Sequence, residues 1–193
     1  MKGLKIDQLY DNPFDNINNN ICEKYSDFFR KKLDIDPNIL TFISNITWII
    51  SAIILYMTTK ENKILFIPLS IIFYLISYFF HCFYNYFSRK YIIHSDKGKK
   101  YNQINNLMKS ITIFYILYLK INHKFFKSST YLIILFIIFI IFIFQVSCEE
   151  KLYNKKIYKP CDNNDLCKYM KITRFFSYGS FILLNSISFL LVS

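Results

Sequence analysis

The stretch ILFIPLSIIFYLISYFFHCFYNYF, Ile64 to Phe87, decides the class of this chain. It carries no Asp, Glu, Lys or Arg, and its apolar residues form one block rather than alternating with polar ones. A hydrocarbon core of ~30 Å needs ~20 helical residues to cross it. Backbone groups in lipid must be satisfied within the segment, so such a run is a helix, and without alternation it is no barrel strand.

Working outward, the same pattern recurs. Apolar runs lie near 40–59, 64–87, 102–120, 130–148 and 175–192. The fourth is almost pure Ile, Leu and Phe, and the third is the weakest. The expectation is an all-α, polytopic membrane bundle of about five transmembrane helices over residues 36–193. Residues 1–35 form a separate N-terminal segment. That segment is polar, Asn-rich and without an apolar core, so it does not read as a signal peptide.

The formal charge of +11 raises the question of nucleic acid. The distribution argues for membrane topology instead. Eighteen Lys and Arg fall in the N-terminal segment and the second and fourth loops, against five in the first and third loops. The positive-inside rule then places the N-terminus on the cytoplasmic (or organelle-matrix) side of an integral, multi-pass protein. No nucleic-acid partner is expected; membrane lipids are.

Of the five cysteines, Cys22 and Cys82 stand alone. Cys148, Cys161 and Cys167 share the fourth loop without a zinc spacing, and on a reducing side they are expected as free thiols. The segment Cys161-Asp-Asn-Asn-Asp-Leu-Cys167 lacks the Gly and Glu of a calcium loop and reads as a solvated turn. Asn45-Ile46-Thr47 matches a glycosylation sequon but lies inside the first span.

Asn18 to Leu33 reads as an amphipathic helix, with Ile21, Tyr25, Phe28, Phe29 and Leu33 near one face and Arg30, Lys31 and Lys32 at its end. Such a helix lies in the membrane interface, apolar face down; an ordinary packing helix is the alternative. Asp36-Pro37 supplies an N-cap and a first-turn proline, so the first span starts there.

Polar residues then gather in an unexpected place. His81, Tyr84, Asn85, Ser88 and Arg89 end the second span. Asn102, Asn105, Asn106 and Lys109 open the third. Polar groups at membrane depth are costly and face a protein interior or a wet cavity. A cytoplasm-facing polar pocket between these two helices is expected.

This spacing resembles the signature of the CDP-alcohol phosphatidyltransferases, D-x-x-D-G-x-x-A-R-x8-G-x3-D-x3-D. Arg89 matches the Arg, and Gly98 follows after eight residues. Asn102 and Asn106 stand where the last two Asp belong. Ser88 stands for the Ala, Asn85 for the first Gly, and Tyr84 and His81 for the first two Asp. Upstream, Pro37-Asn38-Ile39-Leu40-Thr41 is similar to the family's P-N-x-x-T, which makes Asn38, Thr41 and Arg89 candidate substrate contacts. The resemblance covers roughly Ile21 to Leu119. The family usually has six spans, so a last helix is missing from this count.

The resemblance implies a bundle that binds two divalent metals through four Asp, with the last Asp also acting as base on an acceptor alcohol. Here all four positions are neutral. Hard cations need carboxylate oxygens, and Asn106 cannot take a proton from an alcohol. No cofactor is therefore expected; Mg or Mn belongs only to an active form. The reading is a non-catalytic pseudoenzyme or a structural or regulatory membrane subunit. As a homodimer, it follows the family's habit. As a heterodimer, it joins an active relative or another membrane complex. The alternatives are a divergent active phosphotransferase of phospholipid biosynthesis, passing a CDP-linked donor to an alcohol, and an unrelated structural subunit.

Overall fold

The computed structural model describes residues 12–32, 35–91, 96–121, 129–154, 166–176, 178–190 and 192. Every regular element among them is helical. The long ones are α1 (Pro13–Lys31), α2 (Pro37–Met57), α3 (Lys63–Tyr91), α4 (Asp96–Lys120) and α5 (Ser129–Asn154). A 3-10 turn (Leu166–Tyr169), the short α6 (Met170–Thr173), a second 3-10 turn (Arg174–Phe176) and α7 (Tyr178–Phe189) follow.

α2 and α3 are long and apolar enough to cross a membrane by length and composition. Their outward faces are bare hydrocarbon: Ile64 is 86% exposed, Leu65 67% and Phe42 65%. Water-soluble monomers rarely present contiguous apolar faces of this kind. α2 starts where Asp36-Pro37 places it, with the Asp36 side chain accepting from the Asn38 N–H at 2.7 Å.

The two helices form an antiparallel hairpin closed by serines. Ser44 pairs with Ser77, and two turns deeper Ser51 pairs with Ser70. Each hydroxyl donates its one hydrogen to the opposite backbone carbonyl, at 2.7–2.9 Å, which leaves the paired Oγ atoms in contact at 3.3 and 3.1 Å. Small hydroxyl residues let the backbones approach and satisfy each other's polar groups in an apolar setting.

Three elements differ from expectation. α1 begins at Pro13, not Asn18, because Asn12 caps it by accepting from the Phe14 N–H at 2.9 Å. The second loop is shorter than read, since α3 continues through Arg89 and Lys90 while α4 already contains Gly98. In the last apolar run the α-helix among the described residues is Tyr178–Phe189, a rise of roughly 18 Å, shorter than the run itself.

α1 packs along the end of α3 with its polar side inward. Asn12, Asn19, Cys22 and Ser26 are buried, whereas Ile17, Ile21, Tyr25 and Phe28 are exposed. The apolar stripe thus faces outward, as an interfacial helix requires, except that Phe29 turns in to meet Phe83 at 4.9 Å. Leu33 lies outside the described residues. Asp15 of α1 accepts from the Tyr78 hydroxyl and from the Gly179 N–H, and Asn12 donates to Ser180 Oγ at 2.7 Å. Those bonds bring α7 onto α1 and α3.

The free-thiol expectation fails for one pair. Cys148, at the end of α5, is disulfide-bonded to Cys167, with 5.4 Å between their Cα atoms. The spacing argument missed it because it weighed metal patterns and compartment, not the chain's return onto the end of α5. Cys161 lies outside the described residues. Cys22 and Cys82 are free and buried, as isolated packing residues.

Candidate functional site

The polar residues that end α3 and open α4 do meet. The Asn106 amide lies 3.0 Å from His81 Nε2, and Asn85, one turn along α3, lies 2.8 Å from the same nitrogen. His81 is buried. A ring nitrogen offers one in-plane lone pair or one hydrogen, so the two amides share a single site in a three-centre arrangement. This is a joint between helices built from neutral groups.

A second layer lies toward the hairpin. The Asn105 amide donates to Asn45 Oδ1 at 2.7 Å, and the Lys109 ammonium donates to Ser44 Oγ at 2.8 Å. Ser44 therefore links α2 to both α3 and α4. Lys109 is 1% exposed. Among the described residues no carboxylate offsets its charge.

Other expected site residues go elsewhere. Tyr84 packs against the cluster of Leu40, Phe83, Tyr86 and Phe87, and its carbonyl accepts from Ser88 Oγ at 2.6 Å. Arg89 turns toward α1, where it donates to Asn19 Oδ1 at 3.4 Å. Asn38 is exposed, with its N–H capped by Asp36, and Thr41 is half-buried. Gly98 and Asn102 lie in the first turns of α4; the side chain of Asn102 lies outside the described residues. Thus the structure joins His81, Asn85 and Asn106 by hydrogen bonds, while Tyr84 packs into the apolar cluster and Arg89 reaches Asn19 of α1.

This donor set does not suit divalent cations. The groups at the joint are uncharged, and the cations whose fields reach His81 are Lys109 and Arg89. Among the described residues, a divalent ion there would meet positive charge and no carboxylate, in a poorly screened setting.

At the C-terminal end of α3, a smaller polar group ties down α1. Lys90 donates to Asp27 at 2.9 Å and to Ser26 Oγ at 2.8 Å, and the Tyr91 hydroxyl donates to Asp27 at 2.7 Å. These bonds hold the Asp27 carboxyl below the usual carboxylate range. Burial pushes the neighbouring Cys22 thiol up to about 12, against the pull of Arg89, so it is an inert packing group.

Sequence reasoning singled out His81, Asn106 and Lys109 but missed Ser44, Ser51, Ser70 and Ser77. A signal was present: the serines sit seven residues apart on each helix, which puts each pair on one face. Comparison with family models, curated proteins and solved structures finds no match for this chain.

Proposed function

We propose that this chain is a CDP-alcohol phosphatidyltransferase-like membrane bundle whose catalytic centre has become a helix joint. In this reading it crosses the membrane about five times, through α2, α3, α4, α5 and the segment ending in α7. It acts without catalysis, as a structural or regulatory subunit of a membrane complex. The observation that carries the reading is the neutral contact of His81, Asn85 and Asn106, with Lys109 beside it. Transferases of this type need carboxylates to hold two cations and a base to deprotonate the acceptor. A joint of amides and imidazole beside an ammonium supports neither task. It does support cohesion, since interhelical hydrogen bonds in membranes contribute about 0.6–2 kcal/mol each.

The test is a transfer assay on purified, reconstituted protein, with CDP-linked lipid donors, a panel of small alcohols, and Mg²⁺ or Mn²⁺. The expected result is no product above the protein-free control. Metal-dependent turnover that disappears in His81→Ala would replace this reading with that of an active enzyme.

A further inference from the structure

α1 is docked by its polar side and leaves another face open. Asn19 and Ser26 bond to Arg89 and Lys90 of α3, and Cys22 between them packs against Phe83, Tyr86 and Phe87. Away from that contact, Phe14, Ile17, Ile21, Tyr25 and Phe28 recur at spacings of three and four and are 37–57% exposed. That spacing puts them on one stripe of the helix.

The rim of the stripe is basic. Lys24 and Lys31 are exposed and lie two turns apart along one edge, and Lys32 stands at the end. The Lys24 ammonium sits 5.4 Å from the centre of the Tyr25 ring, and that of Lys32 sits 5.6 Å from the centre of Phe28. Two of the cations therefore lie over the stripe's own rings. Among the described residues no carboxylate pairs with Lys24, Lys31 or Lys32. Asp27, between Lys24 and Lys31 in the chain, is taken by Lys90.

We propose that α1 is a recognition surface for anionic phospholipid. Its apolar stripe lies among acyl chains, and Lys24, Lys31 and Lys32 hold the headgroup oxyanions beside them. Position and charge both select this occupant. α1 ends at Lys31, just before α2 starts at Pro37, and it lies against the last turns of α3. The stripe is thus at the level where the two apolar helices meet the membrane surface. Cations rimming a stripe of this kind match the negative potential of an anionic leaflet, and a neutral leaflet leaves them unmatched. The proposal rests on α2 and α3 crossing a bilayer. It is independent of whether the chain catalyses transfer, so the turnover assay and the experiment below fail separately.

The chain has one tryptophan, Trp48, so the probe can be moved. Full-length protein carrying Trp48→Phe and Phe28→Trp is reconstituted into phosphatidylcholine vesicles. Phosphatidylcholine or phosphatidylglycerol with brominated acyl chains, which quench tryptophan on contact, is then included at equal mole fractions. Phosphatidylglycerol is expected to occupy the stripe at least about fivefold better, the scale of one lysine at an anionic surface. Salt of about 1 M, which cuts the screening length to ~3 Å, is expected to remove most of that preference. Lys24→Gln, Lys31→Gln and Lys32→Gln together are expected to abolish it, and as exposed positions they leave the docked face intact. Equal quenching by the two lipids overturns the proposal. So does a preference that survives the three substitutions. Quenching by neither lipid also overturns it, and assigns the stripe to a protein face or a second copy of this chain. Should Phe28→Trp not fold, Tyr25→Trp on the same stripe decides by the same outcomes.

Discussion

Between Asn12 and Ile121, helices meet through paired polar side chains: Ser44 with Ser77, Asn45 with Asn105, His81 with Asn106, Asp27 with Lys90. α7 joins them in the same way, through Asn12–Ser180 and Asn185–Tyr74, but α5 is attached differently. α5 touches α7 through Phe142 and Phe181, with ring centroids 5.4 Å apart, and returns to the chain through Gln145–Thr173 and the Cys148–Cys167 disulfide. In a bilayer, lipid solvates Ile and Phe as well as another helix does, so an apolar face carries no address. Polar pairs give α1–α4 a defined arrangement, while among the described residues α5 is held by a covalent tether, a few rings and the single Gln145–Thr173 bond.

Gly179 sits at the tightest point between the two halves, beside the Asn185–Tyr74 bond and the Tyr74–Phe189 stack that also join them. A Cβ at this position collides with the Tyr78 hydroxyl and lies 3.0 Å from both Asn12 Oδ1 and Asp15 Oδ1. Gly179→Leu is expected to expel α7 from α1 and α3, at about 3 kcal/mol, as overpacking of a tight site does. Hydrogen exchange should show α7 amides losing protection while the α2–α3 hairpin keeps it. Protection retained in α7 would mean that the halves are joined by something other than this contact.

Breaking the tether sharpens the comparison from the other side. The Cys148–Cys167 loop spans 19 residues, and removing a cross-link of that length with Cys167→Ser costs about 3 kcal/mol. The loss should be confined to the end of α5, α6 and the turns beside it, where Leu152 and Met170 are buried with the pair. Limited proteolysis with and without reductant reads this: new cleavage only after Asn154 agrees, and equal loosening of α1–α4 contradicts a two-part molecule.

Within the polar half, the two serine pairs are not equivalent. Ser44 also serves Lys109, and Ser51 serves only Ser70. Ser44→Ala takes the Oγ acceptor from a buried ammonium, at about 2 kcal/mol, whereas Ser51→Ala removes an ordinary interhelical bond worth about 0.6 kcal/mol. Equal losses in a denaturant titration would make Lys109 a bystander to hairpin stability.

What the sequence disclosed follows the same division. Hydropathy located α2 and α3 to within a few residues, because long apolar runs leave few alternatives. Asp36-Pro37 marked the start of α2 through local capping chemistry that needs no tertiary partner. Asn12-Pro13 is the same signal, yet α1 was read as starting at Asn18, since the apolar stripe was weighed above the cap. The His81–Asn106 joint was legible because polar residues at that depth must find one another. Tyr84 was not, since an aromatic ring packs into apolar surroundings as readily as it lines a polar site. The serine pairs and the Cys148–Cys167 bond depend on register and chain return, which single residues do not announce.

The smallest expected effect tests whether the clasp of α1 belongs to the polar half by charge as well as by shape. Asp27 is held in its ionised form by Lys90 and Tyr91, with Lys31 adding a weaker field. Its folded pKa therefore lies below the value of about 3.9 for an unfolded Asp. A depressed carboxylate contributes stability that is present above the unfolded value and lost as pH falls through the folded one. Acidification below about pH 4 should thus loosen the end of α1, read as faster exchange of its last-turn amides, and leave the Ser44–Ser77 and Ser51–Ser70 pairs, which carry no proton equilibrium in this range, unaffected. Asp27→Asn should flatten that pH dependence while costing little at neutral pH, because Asp27 lies open to solvent, which screens the pair. If the variant keeps the wild-type acid response, the clasp is held by the Phe29–Phe83 contact and not by the ion pair, and α1 would then share the apolar attachment of α5.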